Sequence, residues 1–291
     1  MTRSITGKPV RRGAWAFGLA GVFVGVFAVT IGQPAFAHEP IFAPGAHTHS
    51  KGLQELSLTY ERQRASGGGQ KETEQELTLE DEYGLTANWT AKVDVPLVDK
   101  SVIGDGSTGI GDITLATKYR FLRNDLPGKQ FSTSALFQIK LPTGDDDASP
   151  RLGSGSTDFV GGLLHGLESR RWYYNTDARF RLNTEGGGGL KKGNKVLLDL
   201  VGGVRPVLTG YKEPDTVLFF EINWEDAMRD SLNGTDVADT GGWQLFASPG
   251  IFWTYRFFAV TGGVQIPIAE NLNGTQPTSD YRFKLTTKYS F

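Results

Sequence analysis

The chain contains no cysteine among its 291 residues, so no disulfide framework can hold its fold together. This composition fits an exported protein that avoids disulfide chemistry. The chain also lacks an excess of basic residues, since 30 lysines and arginines stand against 32 acidic residues. Proteins that bind nucleic acid usually carry a basic surplus, so the composition argues against nucleic acid as a partner.

Long apolar runs are absent after residue 37, where no stretch approaches the length that a membrane-spanning helix needs. The nucleophile motif Gly-x-Ser-x-Gly is missing as well. The Gly-x-Gly elements between Gly104 and Gly111 do not open a helix after a strand, so they do not form a nucleotide fingerprint. We therefore expect neither a cofactor nor an enzymatic activity.

The first 37 residues have the layout of a cleavable export signal. A basic region ending at Arg12 precedes an uncharged apolar run from Ala14 to Ile31, and Ala35-Phe36-Ala37 is a small-x-small cleavage site. Cleavage removes four basic residues and no acidic one, which leaves a net charge of about −6. We therefore predict a signal peptide over residues 1–37, with His38 as the mature N-terminus.

The last eleven residues alternate between an oily face and a polar face. The oily face carries Tyr281, Phe283, Leu285, Thr287, Tyr289 and Phe291. A period of two residues predicts a β-strand with one apolar side. A closing strand that ends in an aromatic residue is typical of bacterial outer-membrane β-barrels. We therefore interpret Tyr289 and Phe291 as the assembly signal that the barrel-assembly machinery recognises.

Eleven further segments alternate in the same way, which predicts twelve strands, an even number as in bacterial single-chain barrels. The two least regular segments, Phe159 to Leu167 and Val196 to Arg205, are rich in glycine. Short connections alternate with longer loops, such as Asp99 to Gly111, which is typical of membrane barrels and not of soluble β-sandwiches. We predict an all-β fold, an antiparallel transmembrane β-barrel over residues 53–291.

The strand face opposite the apolar one should line the barrel interior. The predicted lumen-lining residues carry both signs of charge: Lys92, Asp94, Lys118, Arg120, Lys140, Asp177, Arg179, Arg181, Glu221, Lys284 and Lys288. These charges either pair across a narrow lumen and fill it, or line a water-filled path for polar or amphipathic solutes. Twelve strands lie between small packed barrels and large open porins, so strand number does not decide between these outcomes.

Three of the four histidines lie at positions 38, 47 and 49, in a leader over residues 38–52 that precedes the first strand. The leader should lie in the periplasm or plug the lower lumen. His47 and His49 can chelate Cu²⁺, Ni²⁺ or Zn²⁺, and an N-terminal His38 adds an amine and an imidazole. The three histidines are therefore candidate metal ligands, although their spacing matches no standard closed zinc site. The alternative is a polar leader that orders against the rim.

Three motifs in the middle of the chain are similar to those of a known family. They are Gly109-Ile-Gly-Asp-Ile-Thr-Leu-Ala-Thr-Lys-Tyr-Arg-Phe-Leu122, Leu136-Phe-Gln-Ile-Lys-Leu-Pro-Thr-Gly-Asp145 and Leu152-Gly-Ser-Gly-Ser-Thr-Asp-Phe159. Together they resemble the family named for a MetA pathway of phenol degradation, over most of the mature chain. The resemblance implies an outer-membrane protein that passes aromatic or other small hydrophobic compounds, and it implies no catalytic or binding residues.

The residues and the resemblance together predict a channel or transporter of the bacterial outer membrane for passive passage of small organic solutes. Two alternatives stay open: a metal-linked outer-membrane protein that uses the leader histidines, and a structural barrel whose lumen its own ion pairs close. The expected partners are outer-membrane lipid and lipopolysaccharide, the barrel-assembly machinery and small organic solutes.

Overall fold

A computed structural model describes residues 38–210 and 213–291 of the chain. The predicted signal peptide, residues 1–37, lies outside the described residues. Helical structure in the described part is limited to a three-residue 3₁₀ turn, Gly187–Gly189. Within the described part of the chain, no helix is long and apolar enough to cross a membrane.

Twelve long antiparallel strands form the barrel, and the short strand β4 (Asp105–Ile110) adds to the same sheet. They are β1 (Gln54–Gly67), β2 (Gln70–Thr86), β3 (Trp89–Val102), β5 (Thr114–Leu126), β6 (Lys129–Lys140), β7 (Asp158–Ser169), β8 (Trp172–Leu182), β10 (Lys195–Val204), β11 (Asp215–Ala227), β14 (Gly242–Tyr255), β15 (Phe258–Leu272) and β16 (Thr278–Ser290). Four short strands lie in the connections: β4 (Asp105–Ile110), β9 (Leu190–Lys191), β12 (Ser231–Leu232) and β13 (Thr235–Asp236).

The sheet closes on itself. Each long strand pairs with the long strands before and after it in sequence, and β1 pairs with both β2 and β16. At the seam, the Phe291 N–H donates to the Gln54 carbonyl at 2.9 Å, and the Gln54 N–H donates to the Phe291 carbonyl at 3.1 Å. Closure gives each of the twelve long strands two neighbours, which a barrel surrounded by lipid requires. The predicted fold class, an antiparallel barrel of twelve strands, is confirmed.

The two faces of the strands differ as the period of two residues predicts. On β16, Leu285 and Tyr289 are 40% and 52% exposed on the outer surface, whereas Thr286 and Ser290 are buried inside. Large apolar side chains are exposed in the same way on the other long strands, for example Leu115, Leu163 and Ile251. An outer surface of this kind belongs in hydrocarbon, so the barrel is of the outer-membrane type.

The two ends of the barrel differ in their connections. The turn end carries the connections β2 to β3, β5 to β6, β7 to β8, β10 to β11 and β14 to β15. The loop end carries the others. The prediction of a loop from Asp99 to Gly111 is wrong, because β3 continues to Val102 and β4 pairs with it as a hairpin. The β4 sequence, Asp-Gly-Ser-Thr-Gly-Ile, is rich in the residue types of turns, so it resembles a loop although it forms a strand.

The two least regular predicted strands are present. Phe159 to Leu167 lies within β7, and Val196 to Arg205 corresponds to β10, which ends at Val204. Glycines within these strands, among them Gly161 and Gly202, obscure the alternation without preventing the pairing with neighbouring strands.

Candidate functional site

Residues 38–50, here called the plug, run inside the barrel before β1 begins. The plug begins near the turn end, where His38 contacts Glu168 and Asp215. It rises to an apex at Ile41, Phe42 and Ala43, and then returns to the turn end. Of the two positions that the sequence allows for the leader, the structure has the one inside the lumen.

The apex of the plug is held by a single carboxylate on β11. The Ile41 N–H donates to Glu221 Oε1 at 2.6 Å, and the Ala43 N–H donates to Oε2 at 2.9 Å. The Phe42 N–H contacts both oxygens, at 3.3 and 3.2 Å. Glu221 itself is fully buried. Consecutive backbone N–H groups around a carboxylate form a nest, which satisfies both oxygens and fixes the path of the loop.

An apolar seat on the inner wall receives the apex. Ile41 and Ala43 form a buried cluster with wall residues of β8, β10, β11, β14 and β15, and Phe42 packs against it. The wall residues of this cluster are Tyr173, Val201, Val217, Phe219, Phe252 and Ala259. Further along the plug, Ala46 packs on Leu136 and Leu164. Burial of these side chains favours the docked plug through the hydrophobic effect.

Two lysines from strands that are separated by β1, β2 and β3 contact the same plug carboxylate. Lys118 on β5 and Lys288 on β16 each place Nζ 3.1 Å from an oxygen of Glu39. Burial raises the pKa of the Glu39 carboxyl, but the two ammonium groups outweigh it and hold the pKa well below its usual range. Glu39 is therefore charged when the plug is docked.

Two plug histidines lie beside carboxylates of the wall. His38 Nδ1 lies 3.2 Å from Glu168 Oε1, and Nε2 lies 3.1 Å from Asp215 Oδ2. His49 Nε2 lies 3.4 Å from Glu82 Oε1. Burial lowers the pKa of both imidazoles, but the hydrogen bonds with these carboxylates outweigh it, so each pKa is raised above its ordinary value.

The third plug histidine has the opposite behaviour. Burial lowers the pKa of His47 to about 4, because the nearby charge of Glu168 does not offset the loss of water. Within residues 38–210 and 213–291, no group of three or more His, Cys, Asp or Glu side chains is arranged to hold a metal ion. The proposed metal ligands His38, His47 and His49 therefore each have their own surroundings in the docked plug.

The structure places the predicted lumen-lining residues as follows. Glu221, Lys118 and Lys288 hold the plug. Arg120 is buried at the turn end, where its Nη2 donates to the Ala87 carbonyl at 2.7 Å. The others pair along the wall: Lys92 with Glu80 and Asp94, Lys140 with Asp112 and Asp158, Arg179 with Asp177 and Asp199, and Lys284 with Glu61. Arg181 forms no ion pair with any described residue.

Open space remains around and above the plug. A cavity of about 230 Å³ lies beside the plug between Glu39 and Gly45. Two larger cavities, of about 650 Å³ and 510 Å³, lie toward the loop end and share Arg181 in their linings. The lumen thus holds water-accessible space on the loop side of the plug, while the plug occupies the turn end.

Several residues of the site were not identified from the sequence. The sequence did not predict that Glu39 of the plug contacts the wall or that Glu82 of the wall contacts the plug. It also did not assign Lys195 to the lumen. Gly250 and Gly263, on the inner face of β14 and β15, lie against Ile41. A glycine within a strand at an inward position signals that another part of the chain approaches closely, and this signal was available in the sequence.

Known proteins share both sequence motifs and the barrel fold with this chain. The profile of a family described as "Putative MetA-pathway of phenol degradation" matches residues 63–271. A search of curated proteins finds no match.

Two solved structures have the same fold. An outer membrane channel from Pseudomonas putida F1 is 16% identical with a TM-score of 0.67, and the match covers 86% of this chain and 99% of that one. The β domain of the Bordetella autotransporter BrkA is 13% identical with a TM-score of 0.53, and the match covers 83% and 100%. At these identities the likeness concerns the fold.

Proposed function

Because the chain belongs to the family described as "Putative MetA-pathway of phenol degradation", we propose that it is a channel of the bacterial outer membrane for small organic solutes. Passage is passive, and the plug closes the turn end of the lumen until it is displaced. The main observation behind this proposal is that Glu221 accepts hydrogen bonds from three successive backbone N–H groups at the plug apex.

The way the plug is held supports a removable closure. The wall contacts of the plug are hydrogen bonds, ion pairs and apolar packing, all of which can be exchanged for water. A hydrogen bond to a charged group contributes about 1.5–3 kcal/mol. Several of these bonds hold the plug firmly, yet a solute or a partner that competes for Glu221 or Glu39 could release it.

The chemistry of the vacated path supports organic solutes. Once the plug leaves, Phe219 and Phe252 of the apolar seat face the lumen, and Lys118 on β5 and Lys288 on β16 add positive charge to it. A passage that offers both apolar surface and cationic groups suits solutes that have an aromatic or aliphatic body and a polar group. This reasoning, together with the family, underlies the choice of small organic solutes.

The experiment that tests the proposal is electrical. The mature chain and a variant without residues 38–50 are purified, reconstituted in planar bilayers and recorded under the same voltage. We expect a steady, open conductance from the shortened chain and a much smaller or intermittent one from the mature chain. A shift of gel mobility on heating in detergent verifies that both barrels are folded. A folded, shortened barrel that conducts no ions would identify the protein as a structural barrel.

The solute class is tested separately with liposomes. Swelling rates in the sodium salt of an aromatic acid are compared with those in a sugar of similar mass, using the shortened chain. Faster entry of the aromatic compounds supports the proposed solutes, and equal entry of the sugar indicates a general diffusion pore.

We also propose that the C-terminal strand carries the assembly signal. Tyr289 is 52% exposed on the outer surface, and its ring centroid lies 6.1 Å from that of Phe291. Both rings are therefore accessible to the barrel-assembly machinery and, after insertion, to membrane lipid. Lipopolysaccharide remains a proposed neighbour of the loop end.

A further inference from the structure

Three cationic side chains gather around one carboxylate on the loop side of the plug. Lys195 Nζ on β10 lies 3.7 Å from Glu225 Oε2, and Arg282 on β16 pairs with Glu225 Oε1. Arg181 on β8 lies near Glu225 but forms no ion pair within residues 38–210 and 213–291. Glu225 thus pairs with two cations, and the third cation, Arg181, has no paired carboxylate in the part of the chain that the structure describes.

The register of the sheet places two of these cations side by side, which destabilises the sheet when no anion lies between them. Lys195 and Arg181 are direct cross-strand partners between β10 and β8. Like charges directly opposite each other destabilise a sheet, because their β-carbons lie only about 4.5–5.5 Å apart. The Arg181 side chain borders the two larger cavities of the lumen. An anion placed between the two side chains would offset their repulsion.

The other carboxylates of the same cavity do not neutralise this group. Glu61 pairs with Lys284, and Asp199 pairs with Arg179. Glu76, on β2, accepts a hydrogen bond from Thr78 and lies in the field of Glu61 and Lys284. The surplus of positive charge is therefore local to Arg181, Lys195 and Arg282.

The cavity beside these cations has the size and lining of a ligand site. Its volume is about 510 Å³, within the range of small-molecule pockets. Phe42 of the plug and Leu197 of the wall contribute apolar surface to it. The Arg282 guanidinium lies 4.5 Å from the centre of the Phe246 ring and donates to Gln265 at 3.1 Å, so it is held in place.

We propose that Arg181, Lys195 and Arg282 bind the carboxylate of a small organic anion whose apolar body rests on Phe42 and Leu197. The inference rests on the proposed channel function and names the class of solute that the channel takes. Because Phe42 belongs to the plug, the bound anion is in direct contact with the segment that closes the lumen.

The test is equilibrium binding to the folded mature chain in detergent, measured by titration calorimetry. Sodium benzoate is compared with benzamide, which has the same shape without the charge, and with inorganic phosphate. We expect benzoate to bind and Arg181→Gln to weaken its binding by about tenfold, since charge-assisted hydrogen bonds are lost. Arg181→Gln breaks no ion pair within the described chain, so the fold should tolerate it.

The matched control is Lys192→Gln, which removes one positive charge at the same end of the barrel. Lys192 is 61% exposed at its side chain and pairs with Asp230 outside the cationic group. This variant should bind benzoate as the unaltered chain does. If both variants lose benzoate affinity equally, the effect is one of net charge, and the proposed site is contradicted.

Three further results would overturn the inference: benzoate that does not bind, benzamide that binds as tightly as benzoate, or phosphate that competes at equal concentration. These outcomes are independent of the channel itself. A shortened chain that conducts while benzoate fails to bind contradicts the site alone, and benzoate binding to a non-conducting barrel contradicts the channel alone.

Discussion

Gly250 on β14 and Gly263 on β15 lie opposite each other in the sheet and leave the groove that the Ile41 side chain fills. A Cβ atom on Gly250 would overlap Ile41 Cδ1, and one on Gly263 would lie 3.2 Å from Ile41 Cγ2. Neither glycine has a positive φ, so any residue could adopt its backbone conformation. The Ile41 side chain needs the space that a side chain at either position would occupy. The two glycines therefore make the wall complementary in shape to the plug.

Replacing this space with a methyl group should loosen the plug. We expect Gly250→Ala to disfavour docking by about 1–3 kcal/mol through overpacking, which corresponds to roughly 5- to 150-fold in the docking equilibrium. The measurement is the fraction of time that the channel is open in planar bilayers.

The matched control for that substitution is Gly161→Ala on β7. Gly161 also lies within a strand, but a Cβ atom there would meet nothing within 4 Å. Its conductance should equal that of the unaltered chain. If Gly250→Ala also behaves like the unaltered chain, Ile41 does not anchor the plug.

Replacement of the Glu221 carboxylate should release the plug apex from β11. Glu221→Gln replaces an acceptor of three backbone hydrogen bonds by an amide, one end of which donates rather than accepts. We expect the Ile41 and Ala43 amides to exchange with solvent at least about tenfold faster, since tenfold corresponds to about 1.4 kcal/mol. Hydrogen exchange followed by mass spectrometry measures this.

Exchange in the barrel strands serves as the internal control for Glu221→Gln. Amides of β1 and β16 should keep their protection, because their ladder does not involve the plug. A variant whose plug amides remain protected would show that the apolar seat alone holds the apex.

Acidification should open the channel through His47. The docked plug keeps His47 neutral with a pKa of about 4, whereas free histidine has a pKa of about 6.5. Docking therefore weakens as pH falls from about 6.5 toward 4, because protonation favours the undocked plug. Conductance recorded across this window should rise, and His47→Gln should abolish the rise. A rise that persists in this variant would place the acid response elsewhere.

Alkaline conditions should also open the channel, through His38 and His49. Their pKa values are raised in the docked plug by Asp215, Glu168 and Glu82. Their contribution to docking is complete below about pH 6.5 and is lost as pH rises through the raised values. We expect His38→Gln to lower docking at pH 6 and to flatten the alkaline rise in conductance. Unchanged curves would mean that His38 docks in its neutral form.

The C-terminal aromatic should matter for assembly more than for the final fold. Phe291 closes the seam through its backbone N–H and carbonyl, which Phe291→Ala retains. We expect most of this variant to fail to reach the heat-modifiable, folded form in cells, while chain refolded in detergent forms the barrel. Normal insertion of Phe291→Ala in cells would remove the side chain from the assembly signal.

The barrel itself could be derived from the sequence because its signal is local. A period of two residues determines which side chains of β16 face lipid, and the same pattern recurs at each long strand. Tyr289 and Leu285 could be assigned to the outer face from the neighbouring residues of β16 alone. The hairpin of β3 and β4 was missed because β4 is rich in turn-forming residues and does not alternate between apolar and polar side chains.

The path of the plug could not be derived in the same way. Ile41 and Glu221 are 180 residues apart in sequence, and their contact depends on how all the strands between them are arranged around the lumen. The same holds for Glu39, whose two lysines lie on β5 and β16. A polar segment with histidines is compatible with a disordered leader, a metal site or a plug.

The sequence by itself determined the twelve strands, their inner and outer faces and the closing strand, because each follows from alternation between neighbouring residues. Only the tertiary structure decided that residues 38–50 occupy the lumen, that Glu221 holds their apex, and that Lys195 stands opposite Arg181. These facts depend on strand register and on closure of the barrel, which bring together side chains that no local pattern relates.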